Sequence, residues 1–431
     1  MKVCVYGLWH LGLVTAAGLV TKGHTVIGLD TTEIVDRLTA GELPIQEPGL
    51  SDAIADGIKN CTLSFTDNPE FAFKDVDVIW VTFDTPIDNN DNPNVDYIEL
   101  KIVSIGDSLP DNIRLVISSQ VPVGFTTRLL RALRVMSVSQ PLKKVYIAYS
   151  PENLRLGSAL TNFVYPERIV IGINPSEKQA FKPFFSTLSS DLYWMSIESA
   201  EMTKHAINTY LSLSICFANE IARLCDRTGA SAGDVENGLR SDSRIGFKSY
   251  TRSGDAYSGG TLARDVITLT GLILKTNTDA PIITSITKSN KLHKDWIRQK
   301  CLVSMDNTLC NKLVLVIGLT YKPGTDTLRR SGALELCEWL HENRALVLAY
   351  DPSLTVRPID LPPYIITDVG VLDSNLNGFS AIILLKDIHT NPDLKKRILT
   401  SPAVIIDPNG YLHSDVGINH KYFSVKGHPG V

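Results

Sequence analysis

The sequence has little of what would place it outside ordinary globular chemistry. Its 431 residues hold 7 cysteines, at positions 4, 61, 216, 225, 301, 310 and 337, odd in number and free of any CxxC spacing. That excludes a disulfide framework and a zinc site, and points to reduced thiols. No apolar run reaches the ~18–20 residues that cross a bilayer, and the start, MKVCVYGLWHLG, has no separate apolar region or cleavage site of a signal peptide. The 42 basic and 46 acidic side chains leave a net charge of −4, and no Lys/Arg block resembles a nucleic-acid footprint. These absences predict a soluble, cytoplasmic protein with no nucleic-acid, membrane or metal partner. A polyanionic ligand must then be held by a local site.

What is present is core material. Hydrophobic residues make up 44% and charged residues 20%, the balance of a globular chain of two or three domains at roughly 100–200 residues each. Residues 2–6 (KVCVY) predict a buried strand, 7–12 a turn, 11–22 a helix stopped by Gly23, and 24–30 (HTVIGLD) a second strand. Further strands are expected at 77–82, 113–118, 145–149 and 168–172, with helical patterns between most of them, so the sheet should be parallel and doubly wound. Residues 198–228 contain neither Pro nor Gly and predict one long helix, a spine between two lobes. A polar stretch at 240–261, a helix at 262–274 and a second α/β pattern follow, with strands at 312–318, 345–350, 381–385 and 403–407 and a helix at 332–342. Residues 411–431 carry no readable signal. The expected fold class is α/β, two Rossmann-like doubly wound lobes joined by a long central helix. The expected domains are 1–197, 198–300 and 301–431.

The first strand, turn and helix have the setting of the dinucleotide fingerprint G-x-G-x-x-G. Gly7 serves the tight turn, Gly12 allows close helix–strand packing, and the helix N-terminus faces a diphosphate. Asp30 ends the second strand, where an acid binds both ribose hydroxyls and repels a 2′-phosphate, so NAD is favoured over NADP. Trp9 stands where the fingerprint has its middle glycine, which leaves open a lobe that binds another nucleotide or none.

Segments further on, in order, resemble the UDP-glucose/GDP-mannose dehydrogenase family over nearly the whole chain. They are IQEPGL (45–50), DTP (84–86), VPVG (121–124), SPENLRLGSA (150–159), EMTKHAINTY (201–210) with ANE (218–220), RIG (244–246), YSGGTLARD (257–265) and GLTYKPGTDTLRRS (318–331). The resemblance implies an NAD-dependent nucleotide-sugar dehydrogenase that binds the cofactor in its N-terminal lobe and the nucleotide of a UDP-sugar in its C-terminal lobe, as a homodimer built on the long helix. Members oxidise carbon 6 from alcohol to acid in two hydride transfers. A cysteine traps the intermediate aldehyde, and the resulting thioester is hydrolysed.

Carried onto this chain, the resemblance gives Gly7, Trp9, His10, Leu11, Gly12, Asp30, Thr85, Pro86 and Gln120 as cofactor residues. Lys204 and Asn208, four apart on one helix face, match the pair that binds the reacting oxygen. Asp265 matches a catalytic aspartate and Glu152 an acid–base glutamate. Leu154, Arg155, Tyr257, Gly259, Lys322 and Arg329 match sugar-nucleotide contacts, and Arg244 an arginine that reaches the partner's ligand. The departures concentrate on the second oxidation. Thr261 replaces the nucleophilic cysteine, Gln120 a threonine that helps hold the hydrolytic water, and Leu156 an acid. A threonine hydroxyl is far less acidic than a thiol, and an ester leaves less readily than a thioester. Three readings follow: an oxidoreductase that stops after one two-electron oxidation or re-reduces its product as an epimerase; a full four-electron dehydrogenase that hydrates the aldehyde directly; and a non-catalytic binder of NAD or a nucleotide sugar.

Overall fold

The computed structural model describes residues 1–45, 47–88, 92–136, 144–152, 154–258, 260–320, 328, 331–354, 357–359, 361–367, 376–417 and 421–427. The chain divides into two compact units, Met1–Ala206 and Ile207–Val431. The first begins β1 (Lys2–Tyr6), α1 (His10–Thr21), β2 (Thr25–Leu29), α2 (Thr32–Thr39), α3 (Leu50–Lys59), β3 (Leu63–Thr66), α4 (Pro69–Ala72) and β4 (Val78–Val81). It continues α5 (Val95–Ser104), β5 (Ile113–Ile117), α6 (Phe125–Met136), β6 (Val145–Tyr149), α7 (Ala159–Val164), β7 (Ile169–Ile173), α8 (Lys178–Leu188) and β8 (Leu192–Met195). The long helix α9 (Ile197–Thr228) starts here and runs into the second unit. There follow α10 (Ala232–Ser241), α11 (Gly260–Thr276), α12 (Pro281–Ser304), β9 (Leu313–Ile317), α13 (Gly332–Glu342) and β10 (Leu346–Tyr350). The unit closes with β11 (Ile365–Thr367), β12 (Ala381–Leu384), α14 (Pro392–Thr400), β13 (Val404–Ile406) and β14 (Tyr422–Phe423).

Among the described residues the first unit forms one sheet in the order β3-β2-β1-β4-β5-β6-β7-β8, and the second a sheet in the order β11-β10-β9-β12-β13-β14. Alternate residues of each strand enter opposite cores. Val3 and Val5 pack with Leu13, Ala16 and Trp80, whereas Cys4 and Tyr6 pack with Ile79, Ile98 and Phe125. In the second unit Val314 and Val316 face one cluster and Leu315 and Ile317 the other. Strands buried on both faces read as unbroken apolar runs, which is why the central ones were visible in the sequence.

The expectation of an all-parallel first sheet needs correction. β7 pairs antiparallel with β6, and β8 runs parallel to β7. The connection after β6 carries only α7, whose 6 residues rise roughly 9 Å, too short to return the chain along the sheet. β7 therefore starts from the edge at which β6 ended. The short strands β3, β8, β11 and β14 were not expected either. Each has 4 residues or fewer, and alternation over so few positions carries no signal. Helix α12 was missed because its inward stripe is largely polar, with Ser289, Asn290 and His293 buried beside Ile286 and Trp296. Among the described residues no helix is long and apolar enough to cross a membrane.

Candidate active site

The first unit's sheet order changes direction at β1, between β2 and β4, the switch point at which doubly wound sheets receive ligands. Neither Gly7, in the turn leaving β1, nor Gly12, in the first turn of α1, admits a side chain. Gly7 has φ +102°, and a Cβ there would lie 2.8 Å from the Phe83 ring and 2.9 Å from the Phe83 nitrogen. A Cβ on Gly12 would lie 1.8 Å from the Gly7 carbonyl oxygen. Trp9 has φ −80° and ψ −162°, an extended conformation open to any residue, so the turn does not require a glycine there. The residue is 41% exposed, and its side chain does not cap α1. The leading amides of α1, next to His10 and Leu11, thus lack a side-chain cap where a diphosphate would sit. Asp30 Oδ2 accepts the Leu8 N–H at 2.6 Å and Oδ1 the Thr31 N–H at 2.8 Å, so the acid at the end of β2 is held against the turn. Thr85 Oγ1 donates to the Gln120 carbonyl at 2.6 Å, joining the loops after β4 and β5 beside Pro86. The cradle of Gly7 and Gly12 with uncapped amides fits a dinucleotide.

In the same unit the start of α9 gathers two loops. The Lys204 side chain, 8% exposed, places Nζ 2.8 Å from Glu152 Oε1 and 2.7 Å from the Glu152 carbonyl. Glu152 Oε2 accepts the Leu154 N–H at 2.7 Å. Two candidates with separate expected roles are therefore one ion pair. One turn earlier, Glu201 accepts the N–H groups of Gly124 at 2.5 Å and Thr126 at 2.9 Å. Burial pushes its carboxyl above the usual range, and those hydrogen bonds oppose the shift. His205 Nε2 lies 2.9 Å from the Val121 carbonyl. Glu201 and His205 went unread in the sequence, although their spacing from Lys204 puts Glu201 on its face of the helix. Leu154 packs against the Val3/Val5 core and Arg155 is exposed.

In the second unit Asn208 Nδ2 donates to Oδ2 of Asp265, which has no exposed surface. Thr261 stands exposed in the first turn of α11, four residues before Asp265. Tyr257 is buried, with its backbone N–H and carbonyl both bound by the Asn290 side chain. Arg244 is exposed and paired with Asp242 at 2.7 Å. Gly259, Lys322 and Arg329 lie outside the described residues. The second sheet has its own switch point between β9 and β12, and a pocket there is lined by Gly318, Thr320, Ser331, Lys294 and Asp255. Asp351 ends β10 as Asp30 ends β2, and accepts the N–H groups of Leu319 and Thr320, each at 2.8 Å. Its other oxygen is taken by Lys386 Nζ at 2.7 Å. This second turn repeats the first but carries its own cation, a likeness the sequence reading did not detect.

Comparison with known proteins agrees with this geometry. Models of the UDP-glucose/GDP-mannose dehydrogenase family match residues 1–193 (NAD binding domain), 198–292 (central domain) and 315–414 (UDP binding domain). A UDP-glucose 6-dehydrogenase of Pseudomonas aeruginosa is 31% identical over 82% of this chain and 79% of its own. One from Bacillus subtilis is 29% identical over 90% of this chain and 88% of its own. The solved UDP-glucose dehydrogenase of Pyrobaculum islandicum, 26% identical, superposes with a TM-score of 0.85 over 99% of this chain and 98% of that one. With a glycine cradle for a dinucleotide at one switch point, a second pocket at the other and all three family domains in order, the chain belongs to the UDP-glucose/GDP-mannose dehydrogenase family and is an NAD-dependent oxidoreductase of nucleotide sugars.

Proposed function

We propose that the chain oxidises a UDP-sugar once, from alcohol to carbonyl, and either releases that product or re-reduces it from the other face. Thr261 carries this reading. It occupies the position at which the family resemblance places the nucleophilic thiol, and a hydroxyl there forms no readily hydrolysed thioester. No other cysteine replaces it. Cys4, Cys216, Cys225, Cys301 and Cys337 are buried, and burial pushes the thiol of Cys216 up to about 11 and those of Cys301 and Cys337 to about 12, away from the reactive thiolate. The exposed Cys61 and Cys310 precede β3 and β9, at the strand ends opposite those where such sheets bind ligands.

Residues 1–197 are assigned to the cofactor, 198–300 to the spine and active-site loop, and 301–431 to the nucleotide. When bound, NAD supplies the hydride acceptor. Lys204, steadied by Glu152, stabilises negative charge on the substrate oxygen as its proton leaves. In the second unit Asn208 is assigned a hydrogen bond to substrate, and Asp265 orients Asn208 and takes up the proton. The long helix is assigned to a homodimer. Tyr210, Phe217 and Leu224 are 67%, 47% and 61% exposed at intervals of seven, a single apolar stripe that a second copy would cover. Light scattering should report a dimer, and Phe217→Lys a monomer.

A second reading, the full conversion to a uronic acid, is favoured by the names of the relatives, which are UDP-glucose 6-dehydrogenases. Single-turnover absorbance at 340 nm with excess protein, NAD and a panel of UDP-sugars separates the two, with products read by mass spectrometry. One NADH and a loss of two hydrogens is expected, or an isomer of unchanged mass. Two NADH and a sugar acid would establish the full dehydrogenase.

A further inference from the structure

Glu47 is a buried carboxylate for which neither the cofactor nor the sugar chemistry has yet found a use. Its residue is 7% exposed and its side chain 0%. Oε1 accepts the N–H of Ala159 at 2.7 Å, and Oε2 accepts the N–H of Gly157 at 2.9 Å. Oε2 also lies 3.2 Å from Nε2 of His10. Ser158, the residue before α7, provides no side-chain cap, so Glu47 supplies the anchor for the start of α7. One carboxylate thus joins two places. His10 is the first residue of α1, at the diphosphate turn. Residues 157–159 close the loop that begins at Glu152, where the carboxylate and carbonyl hold Lys204. A second contact runs in parallel, because the Phe163 ring of α7 fills the space beside Gly18 of α1.

We propose that Glu47 is a positioning residue that couples NAD binding to the seating of the 152–159 loop, and so to Lys204. A carboxylate oxygen only accepts, so it fixes the His10 proton on Nε2. A dinucleotide seated at the turn orders the first residues of α1, His10 among them. An ordered His10 ring keeps its bond to Glu47, which tightens the anchor of the loop. The coupling is reciprocal: a ligand that orders the loop strengthens cofactor binding by the same factor. The proposal rests on reading Lys204 as the group at the reacting oxygen only for its catalytic consequence; the coupling itself involves the cofactor and the loop alone.

Hydrogen exchange of peptides covering residues 152–164, with and without saturating NADH, tests it in the absence of any sugar. Wild-type protein should show exchange slowed roughly five-fold or more by NADH, the lower end of common coupling strengths. In Glu47→Gln that cofactor-dependent protection should vanish, although NADH still binds by fluorescence. His10→Leu, which leaves the carboxylate on the loop, should lose it as well, and serves if Glu47→Gln does not fold. A merely structural Glu47 would raise exchange equally with and without NADH, and that result, or full protection in His10→Leu, overturns the proposal. A parallel NADH titration with UDP-glucose reads the reverse coupling. Failure of UDP-glucose to bind would count against the substrate reading and leave the exchange result standing.

Discussion

At the scale of one side chain, the proposed single oxidation turns on Thr261. It is exposed in the first turn of α11, so a thiol placed there would be open to an aldehyde and free of the burial that raises the pKa of Cys216. Thr261→Cys is accordingly expected to move single-turnover NADH yield from one toward two per sugar, with an acid appearing in the mass spectrum. An unchanged yield would place the limit elsewhere, at Gln120 or Leu156. These expected departures were read from the sequence because a motif that resembles the family's sets the register of each position. The ion pair of Lys204 with Glu152 was not, since its members lie 52 residues apart and only the fold brings a loop after β6 onto the start of α9.

At the scale of elements, two strand–turn units mark the switch points of the two sheets, and neither turn has room for a side chain at its glycine, Gly7 in the first and Gly318 in the second. Gly12→Ala would press a Cβ against the Gly7 carbonyl, so the helix must move. The expected cost is about 3 kcal/mol, the upper range of overpacking, read as a lower thermal midpoint together with weaker NADH binding. The second turn closes on itself. Lys386, 12% exposed at its side chain, faces the fully buried Asp351 carboxylate. Burial alone would raise the pKa of Asp351, but the hydrogen bonds from Lys386, Thr320 and Ser353 outweigh it and hold the carboxyl below its usual range. Lys386→Met leaves that charge unpaired and should destabilise the second unit by about 3 kcal/mol, measured by denaturant unfolding. The same pair distinguishes the second turn from the first: its acid is satisfied by an internal cation, while Asp30 accepts from the backbone amides of Leu8 and Thr31.

Across the whole molecule, pH dependence falls to buried groups of opposite sign. Burial pushes the Asp255 carboxyl from 3.8 to about 7, with Asp407 adding to the shift and the Asn409 hydrogen bond opposing it. The folded state then holds a proton that the unfolded chain has lost, so stability falls as pH rises from about 4 to 7. Burial lowers His293 from 6.5 to about 4. There the unfolded chain holds the extra proton, and stability rises with pH over about 4 to 6.5. The two slopes oppose each other between about pH 4 and 6.5. Asp255→Asn removes one of them, so the thermal midpoint of the variant relative to wild type should rise across that interval. A difference that does not change with pH would show that Asp255 is not held protonated.

The sequence by itself determined the family, the paired α/β lobes and the long helix. Each is written in local pattern or ordered motif: unbroken apolar strands, a stretch at 198–228 with no helix breaker, and glycines where a turn leaves no room for a Cβ. Tertiary structure alone decided what meets what. It reversed β7 and β8, hid α12 behind a polar buried stripe, paired Lys204 with Glu152, closed Asp351 with Lys386, and set Glu47 between the cofactor turn and the Lys204 loop. The physical reason is one of range. Strand and helix patterns depend on neighbours within a few positions, whereas a buried charge is satisfied by whatever the folded chain brings within about 3 Å, from any distance along the sequence.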